Sequence, residues 1–415
     1  MKDIALHQLS PLASAVNSSP SSLMKRRCLR PLGIFVLVLP AMAVYAPIPE
    51  QEQGKLLSAS VGASIYHDSN LFAARTGPIS TFVHELTPSL VLNTSVTDQT
   101  FLSASYKLTL DYFDDRPGQK LIFSHDFDAR LAHSFAPGTT VDFNDDYQIQ
   151  GNPQSLLAGV PVNTDQSFKR NQFDARSTLA LSERTSVAVK ARLIDYSYNN
   201  AVLASTIDHS ENLVGFEGSF EVRPQIKLNA DYRYQTVDYR NDGAANNKHS
   251  NFFLGGLDYT ATRKLTLTLT AGVEERQRDG AGNVTAPSVE LSAKYDYAQG
   301  SYVSAGYGYD LEETSNVALY TDEKVNRFFV NVQHALGGSL TASASVDIEP
   351  SQLQGRAGVS PDRSETTDRL GLGLTWLGAK NWSVSTTFDY DRVSSSDVSR
   401  EYVRNRVGLN ARYSY

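Results

Sequence analysis

Cysteine, tryptophan and methionine are scarce in this sequence, with one, two and three residues among 415. The single cysteine, Cys28, lies before an apolar run near the N-terminus, so an exported mature chain would contain no thiol and no disulfide. Such a chain must be held together by its backbone ladder and side-chain packing. Basic residues are outnumbered as well, since the net charge is −7, and this acidic balance argues against a nucleic-acid partner.

The first 43 residues have the organisation of a targeting segment. The apolar run 32–39 is followed by small residues ending at Ala43 and preceded by four basic residues, Lys25, Arg26, Arg27 and Arg30. This order predicts a secretory signal peptide over residues 1–43, with Met24 as an alternative start, and a periplasmic linker over 44–54. Its removal takes away a net charge of +4 and leaves the mature chain at about −11. A non-cleaved anchor is the alternative, although four prolines between positions 31 and 49 count against it.

Beyond this segment the chain alternates between apolar and polar residues. From 226 to 235 every second residue is apolar or aromatic, and the residues between them are polar. Period 2 is the pattern of a strand with one apolar and one polar face. The segment 214–222 alternates in the same way, and a turn around Pro224 joins the two. Because tyrosines flank the apolar faces and the segments run about ten residues or more, the pattern indicates a transmembrane β-barrel rather than a soluble sandwich.

The connections between alternating segments differ regularly in length. Short ones recur at 97–99, 136–138, 182–185, 223–225, 261–263, 298–300, 337–339 and 378–380. Longer polar ones lie near 67–80, 114–120, 150–167, 199–209, 240–248, 277–284, 312–323, 350–365 and 393–400. Short periplasmic turns that alternate with longer outer loops are expected of an outer-membrane barrel. The sequence therefore predicts an all-β fold, a transmembrane antiparallel barrel of about 18 strands over residues 55–415, with both termini on the periplasmic side.

Charged residues of both signs fall on the polar faces of the predicted strands. The candidates to line the lumen are Lys107, Asp126, Asp128, Arg130, Asp142, Asp174, Arg176, Lys190, Arg192, Glu217, Asp231, Arg233, Arg369 and Arg406. Such residues would set the selectivity of a polar pathway. The alternative is mutual neutralisation, in which opposite charges on neighbouring strands pair and fill the interior. Taken together, these charges favour a hydrated interior, because an unpaired charge faces lipid only at high cost.

Tyrosines cluster near the predicted strand ends beside the long loops, at Tyr112, Tyr196, Tyr198, Tyr239, Tyr309 and Tyr390. We interpret them as an aromatic girdle at the membrane interface. The alternative is a stacking track for sugar rings inside the lumen. Two tyrosines on polar faces, Tyr66 and Tyr302, qualify for such a track.

The long connection 150–167 is unusually apolar for a surface loop. It contains four aliphatic residues, Leu156, Leu157, Val160 and Val162. An apolar loop of this length is better accommodated inside a barrel than in water. We therefore predict that it gates or plugs the lumen.

Catalysis and bound cofactors are not indicated by the sequence. Asp208 and His209 are adjacent, but none of the eight histidines stands in a recognised nucleophile–base spacing. No glycine-rich phosphate loop, zinc pattern or calcium-loop spacing is present. The residues 68–70 could contact calcium weakly, although loop capping is the better interpretation. We predict no enzyme, no cofactor and no metal site.

The segment 66–72, Tyr-His-Asp-Ser-Asn-Leu-Phe, resembles a recurrent element of an outer-membrane β-barrel porin family associated with exopolysaccharide-biosynthesis operons. The following strand with Pro88 and the segment 102–112 are similar to the same pattern, and the resemblance covers about residues 55–415. It implies a channel in the outer membrane of a Gram-negative bacterium, for passive passage or export of exopolysaccharide. Outer-membrane lipid, polysaccharide or a small polar solute, and periplasmic export components would be its partners. A general diffusion porin and a closed structural or receptor barrel stay open as alternatives.

Overall fold

The computed structural model describes residues 56–151, 165–240, 246–314, 316–378 and 381–415. Within them the chain forms one 18-stranded antiparallel sheet that closes on itself, because β1 pairs with β18 as well as with β2. The strands are β1 (Leu57–Asp68), β2 (Thr81–Thr97), β3 (Thr100–Phe113), β4 (Leu121–Ala136), β5 (Thr139–Gln150), β6 (Phe168–Ala180), β7 (Thr185–Tyr198), β8 (His209–Arg223), β9 (Ile226–Tyr239), β10 (Lys248–Thr262), β11 (Leu265–Arg278), β12 (Val284–Ala298), β13 (Ser301–Glu312), β14 (Tyr320–Gly337), β15 (Leu340–Gly355), β16 (Arg363–Leu377), β17 (Trp382–Ser395) and β18 (Tyr402–Ser414). The predicted closed, antiparallel all-β barrel of 18 strands is confirmed.

Helical structure is confined to the long connections of the described chain. Helix α1 (Ala201–Ile207) lies between β7 and β8, and one 3-10 turn, Val398–Arg400, lies between β17 and β18. Among the described residues, no helix has the length and apolarity required to cross a membrane. The predicted signal peptide and linker, residues 1–54, lie outside the described residues.

Each strand presents one face to the outside and one to the lumen, as side chains alternate along a barrel strand. On β9, Leu228, Tyr232 and Tyr234 are exposed, whereas Gln235 and Val237 on the opposite face are buried. Their neighbours in register follow the same division, since Tyr232 lies opposite Phe216 and Phe253. The exposed aliphatic and aromatic side chains thus form the outer, lipid-facing surface of the sheet.

Three strands contain an internal proline, which removes a backbone N–H from the ladder. Pro88 pairs with β1, but pairing with β3 lapses between Leu86 and Ser89. Pro287 pairs with β11, and the β12–β13 pairing begins only at Val289. Pro350 pairs with β16, while its pairing with β14 lapses. Each proline is tolerated because pairing with one neighbouring strand stays continuous and only the pairing with the other neighbour is interrupted.

The connections divide between the two ends of the barrel as the sequence predicts. The short turns lie at one end together with the start of β1 and the end of β18, and the longer connections lie at the other. Two of the short turns require a glycine with positive φ, Gly138 at 74° and Gly300 at 71°. We call these ends the short-turn end and the long-loop mouth.

Candidate functional site

The charged residues predicted to line the lumen have their side chains on the face opposite to the exposed apolar residues, and most are ion-paired. The pairs are Lys107–Asp126 at 2.7 Å, Arg130–Asp142, Arg176–Glu217 at 2.8 Å, Lys190–Glu217 at 2.5 Å, Lys190–Asp231 at 2.9 Å, Arg192–Asp174 at 2.6 Å, Arg233–Asp231 at 2.6 Å and Arg406–Asp391 at 3.2 Å. Asp128 lies opposite Asp146, and Arg369 lies opposite Asp347 and Asp391. A connected network therefore runs from Arg176 through Glu217, Lys190 and Asp231 to Arg233 across β6–β9, so this wall carries both signs in close balance.

An apolar cluster lies inside the long-loop mouth, which the sequence analysis did not anticipate. Its buried members are Phe168, Tyr196, Tyr198, Leu203, Ile207, Val237, Tyr239 and Val317. Leu203 and Ile207 come from α1, whose first turn is capped by Asn200, since the Oδ1 of Asn200 accepts hydrogen bonds from the backbone N–H of Val202 and Leu203. Helix α1 therefore docks its apolar side onto aromatic side chains that point into the lumen.

The girdle interpretation is wrong for three of the six tyrosines. Tyr196, Tyr198 and Tyr239 are only 3–5% exposed and belong to the apolar cluster. The sequence could have shown that they face inward. Tyr196 is an even number of residues from Lys190 on β7, and Tyr239 is an even number from Asp231 on β9, so each tyrosine shares a face with a charged residue. Tyr112, by contrast, is 45% exposed on the outer face.

A buried group of opposite charges lies beside this cluster. We call it the ion latch; it consists of Lys248, Glu274, Arg276, Arg278, Glu313 and Asp322. The Nζ of Lys248 lies 2.6 Å from Glu313 and 3.1 Å from Asp322, and the Nη1 of Arg276 lies 3.0 and 2.6 Å from the same two carboxylates. The hydroxyl of Tyr239 donates to Glu313 at 2.6 Å. Three cations and three carboxylates balance, which is the condition for burying charge at tolerable cost.

The latch joins two parts of the wall that are not neighbours in the sheet. Lys248 and Arg276 are on β10 and β11, whereas Glu313 and Asp322 belong to the end of the β13–β14 hairpin, residues 311–314 and 316–322, which we call the hairpin tip. The β12–β13 pairing stops at Tyr309, and the Nη2 of Arg276 donates to the carbonyl of Leu311 at 3.1 Å. The hairpin tip therefore leans away from β12 into the mouth, where Val317 joins the apolar cluster.

The opposite side of the mouth is covered by the first long connection, residues 69–80. Asn70 is buried; its amide donates to the carbonyls of Ala74 and Val403 at 2.8 and 3.1 Å, and its Oδ1 accepts from the N–H of Ala74 at 2.8 Å. The Oδ1 of Asp68 accepts from the N–H of Asn70 at 2.9 Å. Residues 68–70 thus cap this loop and fasten it to β18, as the capping interpretation requires.

Replacing Asn70 with alanine is expected to release this loop. The change removes three hydrogen bonds and leaves two carbonyls without this donor, a loss of about 2–3 kcal/mol in local stability. Hydrogen–deuterium exchange over residues 69–80 should become faster, whereas Thr76→Ala at an exposed position of the same loop should not change it. Equal exchange in both variants would contradict the fastening role of Asn70.

The latch should resist acid, because the pKa of Glu313 lies well below its ordinary value of 4.5. Burial alone would raise this pKa, but the cations of Lys248 and Arg276 outweigh burial; among the described residues, Asp322 and the Tyr239 hydroxyl also lie close to Glu313. A carboxylate with a depressed pKa contributes stability that is present above its unfolded pKa and lost as the pH falls through the folded one.

We therefore expect the hairpin tip to stay protected from protease between about pH 8 and about pH 5, and to be released only well below the unfolded pKa. Glu313→Gln removes the titrating carboxylate and leaves three cations facing two carboxylates, so in this variant the hairpin tip should already be cleaved at neutral pH. A release near neutral pH in the parent chain would contradict the assignment.

Asp208 and His209, the one acid–histidine neighbour pair considered for catalysis, have structural partners. The Oδ1 of Asp208 accepts from the N–H of Tyr198 at 2.8 Å, and the Nδ1 of His209 lies 2.7 Å from the carbonyl oxygen of Ile207. Within the described residues, no group of three or more His, Cys, Asp or Glu side chains has a geometry that could hold a metal ion.

The predicted gate residues Leu156, Leu157, Val160 and Val162 lie outside the described residues.

Residues 56–415 match the protein family described as "Putative beta-barrel porin 2". Among solved structures, the chain is similar to OpdK of Pseudomonas aeruginosa with vanillate, at 11% identity and a TM-score of 0.48 over 86% of this chain and 99% of that one. OccAB4 of Acinetobacter baumannii is similar at 10% identity and a TM-score of 0.46, over 88% and 100%. The copper transporter OprC follows at 14% and 0.46, over 85% of this chain and 64% of that one, so the chain spans less than two thirds of that transporter. No curated protein matches.

Proposed function

This chain belongs to the beta-barrel porin 2 family, and from that premise we propose that it carries a hydrated polar solute, an exopolysaccharide in the first place, passively across the outer membrane. The protein is an outer-membrane β-barrel of the porin type, and this family consists of channels rather than enzymes.

The observation that carries the proposal is a polar inner wall on a barrel of 18 strands. Barrels of 16–18 strands leave an aqueous channel rather than a core filled by side chains. The inner wall bears hydroxyl, amide and ion-paired groups, and a hydrated solute can exchange hydrogen bonds with such a wall. The exopolysaccharide itself comes from the resemblance of the segment 66–72, and periplasmic export components would deliver it to the short-turn end.

Passage requires that the long-loop mouth opens. The hairpin tip, α1 and the first long connection all pack inside the mouth, so the resting protein is narrowed there. We propose that these segments move aside as gates while the barrel wall keeps its ladder. The connection 150–167 is proposed as a further gate; its deletion with unchanged permeation would remove it from the mechanism.

Single-channel conductance of the refolded barrel in a planar bilayer tests the function, with and without the polysaccharide of the host. Steady conductance that the polymer blocks would support the export conduit. Steady conductance indifferent to the polymer would favour a general diffusion porin, and a deletion strain that still secretes its polysaccharide would agree with that outcome.

A closed structural or receptor barrel is the second candidate, because the mouth is covered and the wall of β6–β9 is extensively ion-paired. This candidate predicts no conductance from a correctly folded barrel, even after the mouth has been opened by mutation. Variants that open the mouth therefore separate it from a gated channel.

A further inference from the structure

The inner wall near the short-turn end is chemically divided. On seven adjacent strands, β14–β18, β1 and β2, nearly all inner positions within seven residues of that end are small hydroxyl, amide or glycine residues. They are Asn331, Gln333, Gly337, Thr341, Ser343, Ser345, Gly371, Gly373, Thr375, Ser383, Ser385, Thr387, Gly408, Asn410, Ser414, Ser58, Ser60, Gly62, Asn93, Ser95 and Thr97. We call these residues the hydroxyl wall. The other inner positions on the same stretch are Val91, Ala335, Leu377 and Arg412, and Arg412 is the one ionisable side chain among all of them.

Register supports the assignment of these residues to one surface. Ser343 lies opposite Gly373, Gly373 opposite Thr387, and Thr387 opposite Gly408, so the inner positions of four strands continue one another around the barrel. The alternate positions, among them Leu372, Val407 and Leu409, form the exposed apolar outer face. Ser60 lies opposite Ser414 across the closing seam between β18 and β1, so the hydroxyl wall continues onto β1.

The wall is shallow, because its glycines lie beneath neighbouring hydroxyls. A Cβ built at Gly373 would lie 2.5 Å from the Oγ of Ser343, and one at Gly371 would lie 2.6 Å from the Oγ of Ser345. Ser343 and Thr387 are themselves exposed to the lumen. A larger residue at either glycine would displace these hydroxyls and narrow the lumen.

The opposite wall has different chemistry at the same height. Each strand from β4 to β9 presents at least one charged residue within seven residues of the short-turn end, among them Arg130, Asp142, Arg176, Lys190 and Glu217. Those five are paired with partners on their own wall. A solute that enters from the short-turn end therefore meets fixed, mutually satisfied charges on one side and replaceable hydrogen-bonding groups on the other.

We propose that the hydroxyl wall is a contact surface for an uncharged, hydroxyl-rich polymer, that is, a neutral polysaccharide that enters from the short-turn end. This inference rests on the proposed channel function and adds the substrate class. Serine and threonine hydroxyls donate and accept, as sugar hydroxyls do, so a polymer can exchange one hydrogen bond for an equivalent one at each step along the wall. Binding of this kind is weak and multiple, which is what passage requires.

An introduced thiol provides the test, because Cys28 is the only native cysteine and can be replaced by serine. In the refolded full-length chain, Ser343→Cys should react with a charged, membrane-impermeant maleimide. Neutral dextran at about twice its dissociation constant should slow this reaction about threefold, as mass action requires. Glu183→Cys in a short turn outside the lumen is the matched control and should react at an unchanged rate.

Other ligands and variants identify which kind of solute the hydroxyl wall binds. Glucose at the same hexose concentration should slow the reaction of the Ser343→Cys thiol less than dextran does. If glucose slows it equally, the wall binds a small sugar rather than a polymer. Dextran sulfate of matched length should also protect less, and equal or stronger protection would overturn the preference for an uncharged ligand. Adding Ser345→Asp and Ser385→Asp, which charge the wall, should reduce protection by dextran at least about twofold.

The failures of the two proposals are distinguishable. No protection by dextran in a barrel that conducts ions would overturn the hydroxyl-wall inference and leave the channel function intact. No reaction of the Ser343→Cys thiol in a correctly folded barrel whose mouth has been opened by mutation would show that the lumen does not admit a solute of that size, and both proposals would then be wrong.

Discussion

Replacing Lys248 with methionine is expected to open the long-loop mouth and to raise the conductance of the barrel severalfold. The change leaves two cations facing three carboxylates in the ion latch, with Glu313 and Asp322 deprived of a partner at 2.6 and 3.1 Å. Removing one member of a buried ion pair costs about 3–5 kcal/mol. The lower end of that range corresponds to roughly a hundredfold change in the ratio of closed to open mouth.

The barrel itself should survive this change. The ladder of β10 with β9 and β11 does not depend on the Lys248 side chain, so the temperature of barrel unfolding should move little. Lys264→Met is the matched control, because it makes the same substitution in an exposed turn at the short-turn end. Adding Glu313→Gln to the Lys248→Met variant restores equal numbers of cations and carboxylates and should recover part of the closed state.

Two measurements decide the outcome for Lys248. Single-channel recording reports the open fraction, and limited proteolysis reports whether the hairpin tip is released. If the Lys248→Met variant keeps the parent conductance and a protease-resistant hairpin tip, the latch does not hold the mouth closed. If the tip is released without a rise in conductance, another segment closes the lumen.

The second large effect is expected from Ile207→Asp on α1. Ile207 is 0% exposed and packs among the aromatic residues of the apolar cluster. A carboxylate cannot ionise there without a partner, so burying it would cost several kcal/mol, more than a seven-residue helix can retain. Undocking of α1 should therefore raise conductance and speed hydrogen–deuterium exchange over residues 200–208.

The same helix supplies the control for this prediction. Val202 is 72% exposed, so Val202→Asp introduces the same charge without entering the cluster and should leave exchange and conductance unchanged. Circular dichroism and resistance of the folded barrel to detergent denaturation should be equal in both variants. Rapid exchange of α1 already in the parent chain would contradict the docked helix.

The barrel could be predicted because strand alternation is a local property. A residue such as Leu228 or Tyr232 reveals its face through its neighbours in sequence, and the alternation of short and long connections fixes the direction of each strand. Pro88 was likewise predicted to lie in a strand. The structure adds that it pairs with β1 and interrupts the pairing with β3.

The apolar cluster could have been found in part. Tyr196 and Tyr239 share parity with charged residues on their own strands, which indicates that they face inward. The partner that covers them could not be found, because Leu203, Ile207 and Val317 come from two connections more than a hundred residues apart. The short α1 also has no amphipathic pattern long enough to reveal its docking.

The sequence by itself determined the all-β class, the number of strands, the division of side chains between two faces and the two unlike ends of the barrel. Each of these follows from period 2 and from connection length, which are set by residues adjacent in the chain. Only the tertiary structure decided that Lys248 and Arg276 meet Glu313 and Asp322, that α1 and the hairpin tip enter the mouth, and that hydroxyl-bearing strands meet across the β18–β1 seam. Such contacts depend on how a closed sheet brings distant strands and loops together in space, and no local pattern encodes that geometry.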